Sequence, residues 1–255
     1  MKKFFLFILL ILVGLPGWAD EWFINGNSTP IQWTDNAEKH QVTAFIPQGN
    51  GTYVWIGKLV TAGDGDGFKV GRNASSFSGW GDCHPSTADL VINEVGTDNI
   101  VSGGDDTKWK ISKAGIYKLT ITEGNTCTLK CEEFTPSIKK DNEGYYLLGS
   151  AEDLFEFAEL VSHSAIESNS KAKLTANIDY SEYTRSTIGR HKDYAFKGTF
   201  DGQGHSIKIN IKTEDETTSR TGLFACINAA TIKNLVVEGD VISKHKKGWV
   251  LTDTN

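Results

Sequence analysis

From Trp22 onward the chain alternates apolar and polar residues in short runs. Trp22-Phe23-Ile24, Val42 to Ile46, Tyr53 to Leu59, Phe68 to Val70, Leu90 to Ile92, Trp109 to Ile111, Ile116 to Thr122 and Thr126 to Glu132 each read as a strand. Turn residues separate them, with no helical periodicity between. Short strands at this spacing predict an antiparallel β-sandwich over residues 20–134. The clearest is Ile116 to Thr122, which turns through Glu123-Gly124-Asn125 into the face of Cys127, Leu129 and Cys131, a hairpin.

The pattern breaks at Thr135 to Glu143, a polar stretch with one Pro and four charges that reads as a linker. Beyond it, Ser150 and Asp153 form an N-cap pair, and Leu154, Phe157, Ala158 and Val161 share one face of a helix ending near Ser162. Strands return at Lys173 to Ile178, Phe196 to Phe200, Ser206 to Ile211 and Thr231 to Val237. Gly198-Thr199-Phe200 recurs as Gly222-Leu223-Phe224, and Ser206-Ile207-Lys208-Ile209 as Thr231-Ile232-Lys233-Asn234. An offset of 24 to 25 residues, rich in strand and turning at glycines, predicts coils of a parallel β-helix over 144–255. Gly202 and Gly204 are expected at positive φ in its corner. The fold class is therefore all-β, a sandwich followed by an incomplete β-helix with a short N-terminal capping helix. A solenoid needs about three repeats and a cap. The chain is accordingly expected to be truncated, with an open edge after Val237 through which copies self-associate.

Composition narrows the setting. Residues 1–19 carry Lys2 and Lys3, an apolar run from Phe4 to Leu15, and small residues at Gly17 and Ala19. This is the layout of a cleaved secretory signal, too short to span a membrane, and no Cys follows it to carry a lipid. Its removal takes two lysines and no acid, so the net charge of −6 becomes −8, which argues against a nucleic-acid partner. No later run is long and apolar enough to cross a bilayer.

The four cysteines form no clear disulfide framework, and neither they nor the scattered His residues have metal-ligand spacing. Cys226 is expected to be buried. Gly63-Asp64-Gly65-Asp66-Gly67 has half the pattern of a calcium loop without its closing Glu, and reads as a hairpin turn. No metal or cofactor is expected.

Candidate chemistry gathers between Phe68 and Pro85, where small residues replace the alternation but Phe77 and Trp80 remain. Trp22, Trp55 and Trp109 are in phase with strand residues and belong to a core. Trp33, in a polar loop, and Trp80 are the pair expected at the surface, two walls of one platform. Phe77 is open to either inward packing or the binding face. A flat indole packs on the C–H face of a pyranose, while Lys69 and Arg72 are placed to donate to hydroxyls. Asp201 and His205 admit a catalytic reading. No second acid recurs at coil spacing to make a carboxylate pair, so a turn is the preferred assignment and no catalytic residue is expected.

The order Trp22-Phe23-Ile24-Asn25-Gly26, Trp33, Tyr53-Val54-Trp55-Ile56-Gly57-Lys58-Leu59, Phe68-Lys69-Val70, Trp80 with Cys83 and Pro85, Lys108-Trp109-Lys110-Ile111 and Ala114-Gly115-Ile116-Tyr117 resembles the starch-binding domains of SusE/SusF outer-membrane proteins. That resemblance implies an immunoglobulin-like sandwich holding an α-glucan on an aromatic arc, with Trp33 and Trp80 stacking on sugar. Those proteins are lipoproteins with several such domains; this chain has one and lacks the lipid-bearing Cys. Tyr145 to Gly239 resembles the opening of the GLUG-repeat β-helix of bacterial surface adhesins, most specifically in Phe196-Lys197-Gly198-Thr199-Phe200-Asp201-Gly202-Gln203-Gly204-His205. The resemblance implies a right-handed helix. The function expected is a secreted or surface-held, non-enzymatic binder of a polysaccharide or cell-surface glycan. Alternatives are an adhesin with a β-helical stalk, or the targeting part of a larger secreted hydrolase or peptidase.

Overall fold

The computed structural model of the chain describes residues 22–61, 63, 67–72, 83–103, 106–213 and 221–243. The protein is a mostly β structure, antiparallel in the first half and parallel in the second. The first half runs β1 (Trp22–Asn25), α1 (Ala37–Val42), β2 (Ile46–Gly49), β3 (Thr52–Leu59), β4 (Lys69–Arg72), β5 (His84–Pro85), α2 (Ile92–Val95), β6 (Thr97–Val101), β7 (Gly115–Thr122) and β8 (Thr128–Glu133). Six strands form one sheet in the order β2-β3-β7-β8-β6-β5, while β1 and β4 pair as a separate ribbon. Alternation decides which side chains meet. Tyr117, Leu119 and Ile121 of β7 join Trp55, Leu59, Leu129 and Cys131 in a core that also takes Trp22, Ile24 and Val70 of the ribbon. The expected hairpin is present, with Leu119 opposite Cys131 and Thr122 opposite Thr128. Burial pushes the Cys131 thiol up to about 12, and the thiols of Cys127 and Cys131 are free.

Two expected strands are replaced in part by short helices. Val42 closes α1 and β2 begins only at Ile46; Ile92 opens α2, leaving Val91 a single bridge to Lys110. Val42 and Ile92 are fully buried. One anchoring side chain in so short a run fits helix and strand equally, so periodicity could not separate them.

The second half runs β9 (Tyr145–Leu148), α3 (Ala151–Ser162), β10 (Lys171–Leu174), β11 (Ile178–Asp179), β12 (Thr199–Asp201), β13 (Ser206–Thr213), β14 (Thr231–Lys233) and β15 (Val236–Ser243). One sheet has the order β9-β10-β12-β14 and the other β11-β13-β15, every pairing parallel. Residues of one phase stack in rows: Tyr146, Ala172, Phe200 and Ile232 in the first sheet, Ile178, Ile207 and Val237 in the second. The helix starts where its cap predicts, Ser150 Oγ accepting from Asp153 N and Asp153 Oδ2 from Ser150 N, both at 3.1 Å. Its face of Leu154, Phe157, Ala158 and Val161 is buried, with Phe157 against Tyr146, Phe196 and Phe200.

The repeat is longer than the sequence match indicated. Thr199 lies opposite Thr231 and Ser206 opposite Val236, while Phe224 bridges to Ile188 rather than continuing the row of Phe200. A period of two lets any short Gly-x-Phe match mimic a coil, and only the ladder fixes the offset. The corner also departs from expectation. Gln203 (φ 52°) and Gly204 (φ 81°) turn the chain, whereas Gly202 is needed for close approach, since a Cβ there would overlap the carbonyl oxygen of Asn234. Cys226, expected in the core, is half-buried.

The halves meet across β3, which is buried on both faces: Trp55 and Leu59 enter the first core, Val54 and Ile56 pack with the second. The polar stretch between them is held down. Glu156 of α3 accepts from Ser137 N and Ser137 Oγ, both at 2.6 Å, and from Ile138 N at 3.2 Å. At the C-terminus of α3, His163 Nδ1 lies 2.6 Å from Ile56 O and Nε2 2.7 Å from Val42 O. Arg190 donates to Ala44 O at 3.0 Å and pairs with Glu159. All three side chains are almost or fully buried. Burial, reinforced by Arg190, pushes the His163 pKa down to about 3; burial pushes Glu159 up to about 7 against the pull of Arg190. His163 is therefore neutral. A neutral ring has one N–H, so only one of the two carbonyls, Ile56 O or Val42 O, receives it; Arg190 Nη1 lies 3.4 Å from Nε2.

Candidate functional site

The candidate site is built on the β1–β4 ribbon and the loops that leave its ends. The four-residue pairing sets Asn25 opposite Lys69 and Trp22 opposite Arg72. At strand rise these ends lie about 10 Å apart, and the side chains of Lys69 and Arg72 leave opposite faces.

At the Lys69 end, Asn25 clamps the loop that carries Trp33. Its Nδ2 donates to Thr34 O at 3.0 Å, and its Oδ1 accepts from Thr34 N at 3.1 Å. His40 Nε2 contacts Thr34 O from the other side at 2.6 Å, with its ring stacked on Phe23 4.2 Å away. The beginning of the loop is pinned by buried Ile31 and by Tyr194 of the second half, whose hydroxyl donates to Pro30 O at 2.6 Å. Trp33 is half-buried on this braced loop. The Lys69 side chain is 6% exposed, its ammonium 3.2 Å from Asp106, which also pairs with Lys108 at 3.0 Å. The hydrogen bond from Lys108 and the presence of both cations hold the Asp106 carboxyl below its ordinary range.

At the other end, Arg72 sits 4.3 Å over the Trp22 ring and 2.5 Å from Glu123 Oε1. Glu123 gathers the neighbourhood, accepting from Trp22 Nε1 at 2.8 Å and from Tyr53 OH at 3.3 Å. This cluster anchors the root of the segment running from Arg72 to buried Cys83. Phe77 and Trp80 belong to that segment and lie outside the described residues, as do Asp64, Gly65 and Asp66.

The structure thus brings the Trp33 loop beside Lys69 and sets Arg72 at the root of the Trp80 segment. Both cations are engaged by carboxylates rather than directed at an open rim. Asn25, His40, Asp106 and Glu123, which support the site, were not singled out by sequence. The Asn25-Gly26 pair after an apolar strand was their one visible signal.

The other candidate chemistry resolves into separate bonds. Asp201 accepts from Gln203 N and Asn234 Nδ2, each at 3.0 Å, and lies 3.1 Å from Lys233 Nζ. Burial raises its pKa, but these three donors outweigh burial and bring it down to about 2. His205 Nδ1 instead meets Asn177 Oδ1 at 3.2 Å. Among the described residues no group of three or more His, Cys, Asp or Glu side chains is placed to hold a metal ion, and no helix is long and apolar enough to cross a membrane. No protein-family model matches the chain, and neither curated proteins nor solved structures give a match.

Proposed function

We propose that the chain is an exported, non-catalytic polysaccharide-binding protein of α-glucan type. In this reading the antiparallel half is an immunoglobulin-like sandwich similar to SusE/SusF starch-binding domains. The parallel half is the opening of a right-handed, GLUG-like β-helix capped by α3. The observation that carries the reading is Trp33: a half-buried indole on a loop braced by Asn25, His40 and Tyr194. A platform held in place before the ligand arrives loses little entropy on binding. Trp33 and Trp80 stack on pyranose faces, with Phe77 between inward packing and the arc. Lys69 and Arg72 serve the platform by fixing the two loop roots through Asp106 and Glu123. Single platforms of this kind bind weakly and gain by repetition.

The test is affinity electrophoresis of the chain from Asp20 to Asn255 in native gels containing starch, other glucans, mannans or xylans. Retardation is expected in starch, with Trp33→Ala and Trp80→Ala each weakening it by about 30-fold, the loss of one central aromatic contact of about 2 kcal/mol. Unretarded migration in every polysaccharide would reject this reading and favour the surface adhesin, in which the parallel half binds and the antiparallel half presents it.

A further inference from the structure

Among the described residues, β14 and β15 are the last strands of their two parallel sheets. They form one rim at the same end of the stacked rows. Along this rim Ile232, Val236, Val237, Val241 and Ile242 are 37% to 48% exposed, apart from Val236 at 49%. Val237 and Val241 continue the buried rows of Ile207 and Ile211, while Val236 and Ile242 lie on the opposite face of the sheet.

The backbone shows which groups the rim offers. Val236 N donates to His205 O at 3.3 Å, so Val236, Glu238, Asp240 and Ile242 direct their amides and carbonyls at β13. Those of Val237, Gly239 and Val241 then point away from it. The strand is also palindromic about Gly239: Val236 and Ile242, Val237 and Val241, and Glu238 and Asp240 stand at equal distances from it.

We propose that this rim is a self-association surface whose occupant is the β15 edge of a second copy, antiparallel across a two-fold axis at Gly239. This two-fold pairing satisfies the free backbone groups of the edge and sets its apolar side chains opposite one another. Val237 meets Val241 of the other copy in hydrogen-bonded positions and Gly239 meets Gly239, for about six inter-chain N–H···O bonds. On the outer face Val236 packs on Ile242. Glu238 faces Asp240 of the other copy, and this like-charge contact holds association back. Lys208, the ladder neighbour of Glu238, already faces Asp179 at 3.3 Å, and Asn210 is the neighbour of Asp240, so the acids are incompletely compensated. Association is therefore weak at low salt and strengthens as salt screens the acids. It is independent of the glycan-binding reading.

Sedimentation equilibrium of the chain from Asp20 to Asn255 should show a monomer–dimer equilibrium that tightens several-fold from low to high salt. Asp240→Asn should tighten it at low salt. Val241→Lys places a charge on the inward side of the edge and should weaken it more than tenfold, with circular dichroism and melting temperature checking that the fold is kept. Cross-linking reads the register directly. Chains carrying Glu238→Cys mixed with chains carrying Asp240→Cys should form a disulfide-linked dimer, since opposed positions of a non-hydrogen-bonded pair lie about 4.5 Å apart at Cα. Neither variant alone should do so to the same extent. A monomer up to about 1 mM overturns the proposal. So does a dimer that survives Val241→Lys without mixed cross-linking. A monomer whose β15 amides resist hydrogen exchange also overturns it, by showing that another part of the chain covers the edge.

Discussion

Replacing Arg190 with Ala should destabilise the protein by about 3–5 kcal/mol, because it leaves the carboxylate of Glu159 buried without its cation. The same substitution removes the donor to Ala44 O and the N–H facing His163 Nε2, so the cost falls on the boundary between the halves. Urea unfolding reads it as a lowered midpoint. The penalty should also depend on pH, with a definite sign. In the native protein burial raises the Glu159 pKa to about 7; without Arg190 only the hydrogen bonds from Ile56 and Ser186 oppose burial, and the pKa lies higher still. Above pH 7 the parent has released this proton in both states, whereas the variant still holds it when folded. The penalty must therefore grow as pH rises above 7, and a pH-independent penalty would show that Glu159 is not the group exposed by the substitution.

In the parent, the two buried groups work against each other. The raised pKa of Glu159 makes stability fall as pH rises from about 4.5 to 7; the depressed pKa of His163 makes it fall as pH drops from 6.5 to about 3. Between 4.5 and 6.5 the slopes cancel. The pair therefore contributes acid sensitivity chiefly below pH 4.5, where His163 acts alone.

Gly198→Ala should cost about 3 kcal/mol or more, at the upper end of what an overpacked site loses. An added Cβ would overlap the carbonyl oxygen of Ser170 in the coil beneath, and that atom belongs to a backbone that cannot swing aside. The coils would have to separate, weakening the pairing of β10 with β12. Gly204→Ala is the matched comparison: it meets open space but must hold φ near 81°, so it should cost only about 1–2 kcal/mol. Unfolding midpoints of the two variants separate steric contact between coils from conformational freedom in the turn. Equal losses would refute the coil-spacing argument.

These two sites mark the boundary between what was legible in the chain and what was not. Strands β3, β7 and β8, the hairpin between the last two, the cap and apolar face of α3, and the core positions of Trp22, Trp55 and Trp109 follow from side-chain period, turn residues and a reciprocal cap. All are written within a few neighbouring residues. The same local rules assign Val42 and Ile92 to strands where each belongs to a short helix, and match the coils 24 to 25 residues apart when the ladder joins Thr199 to Thr231. Of the candidate site, the placement of Trp33 in a loop could be read, but not the partners of Lys69 and Arg72. Asp106 and Glu123 lie 37 and 51 positions further along the chain, and nothing local links them. Nor could sequence show that Glu159, on the side of α3 away from its apolar face, would be buried with an arginine 31 residues away. Elements whose period and caps are local follow from neighbouring residues alone. The tertiary structure decided the register between coils, the burial of both faces of β3, and the pairing of charges across the two halves, because each depends on which distant backbone removes the water.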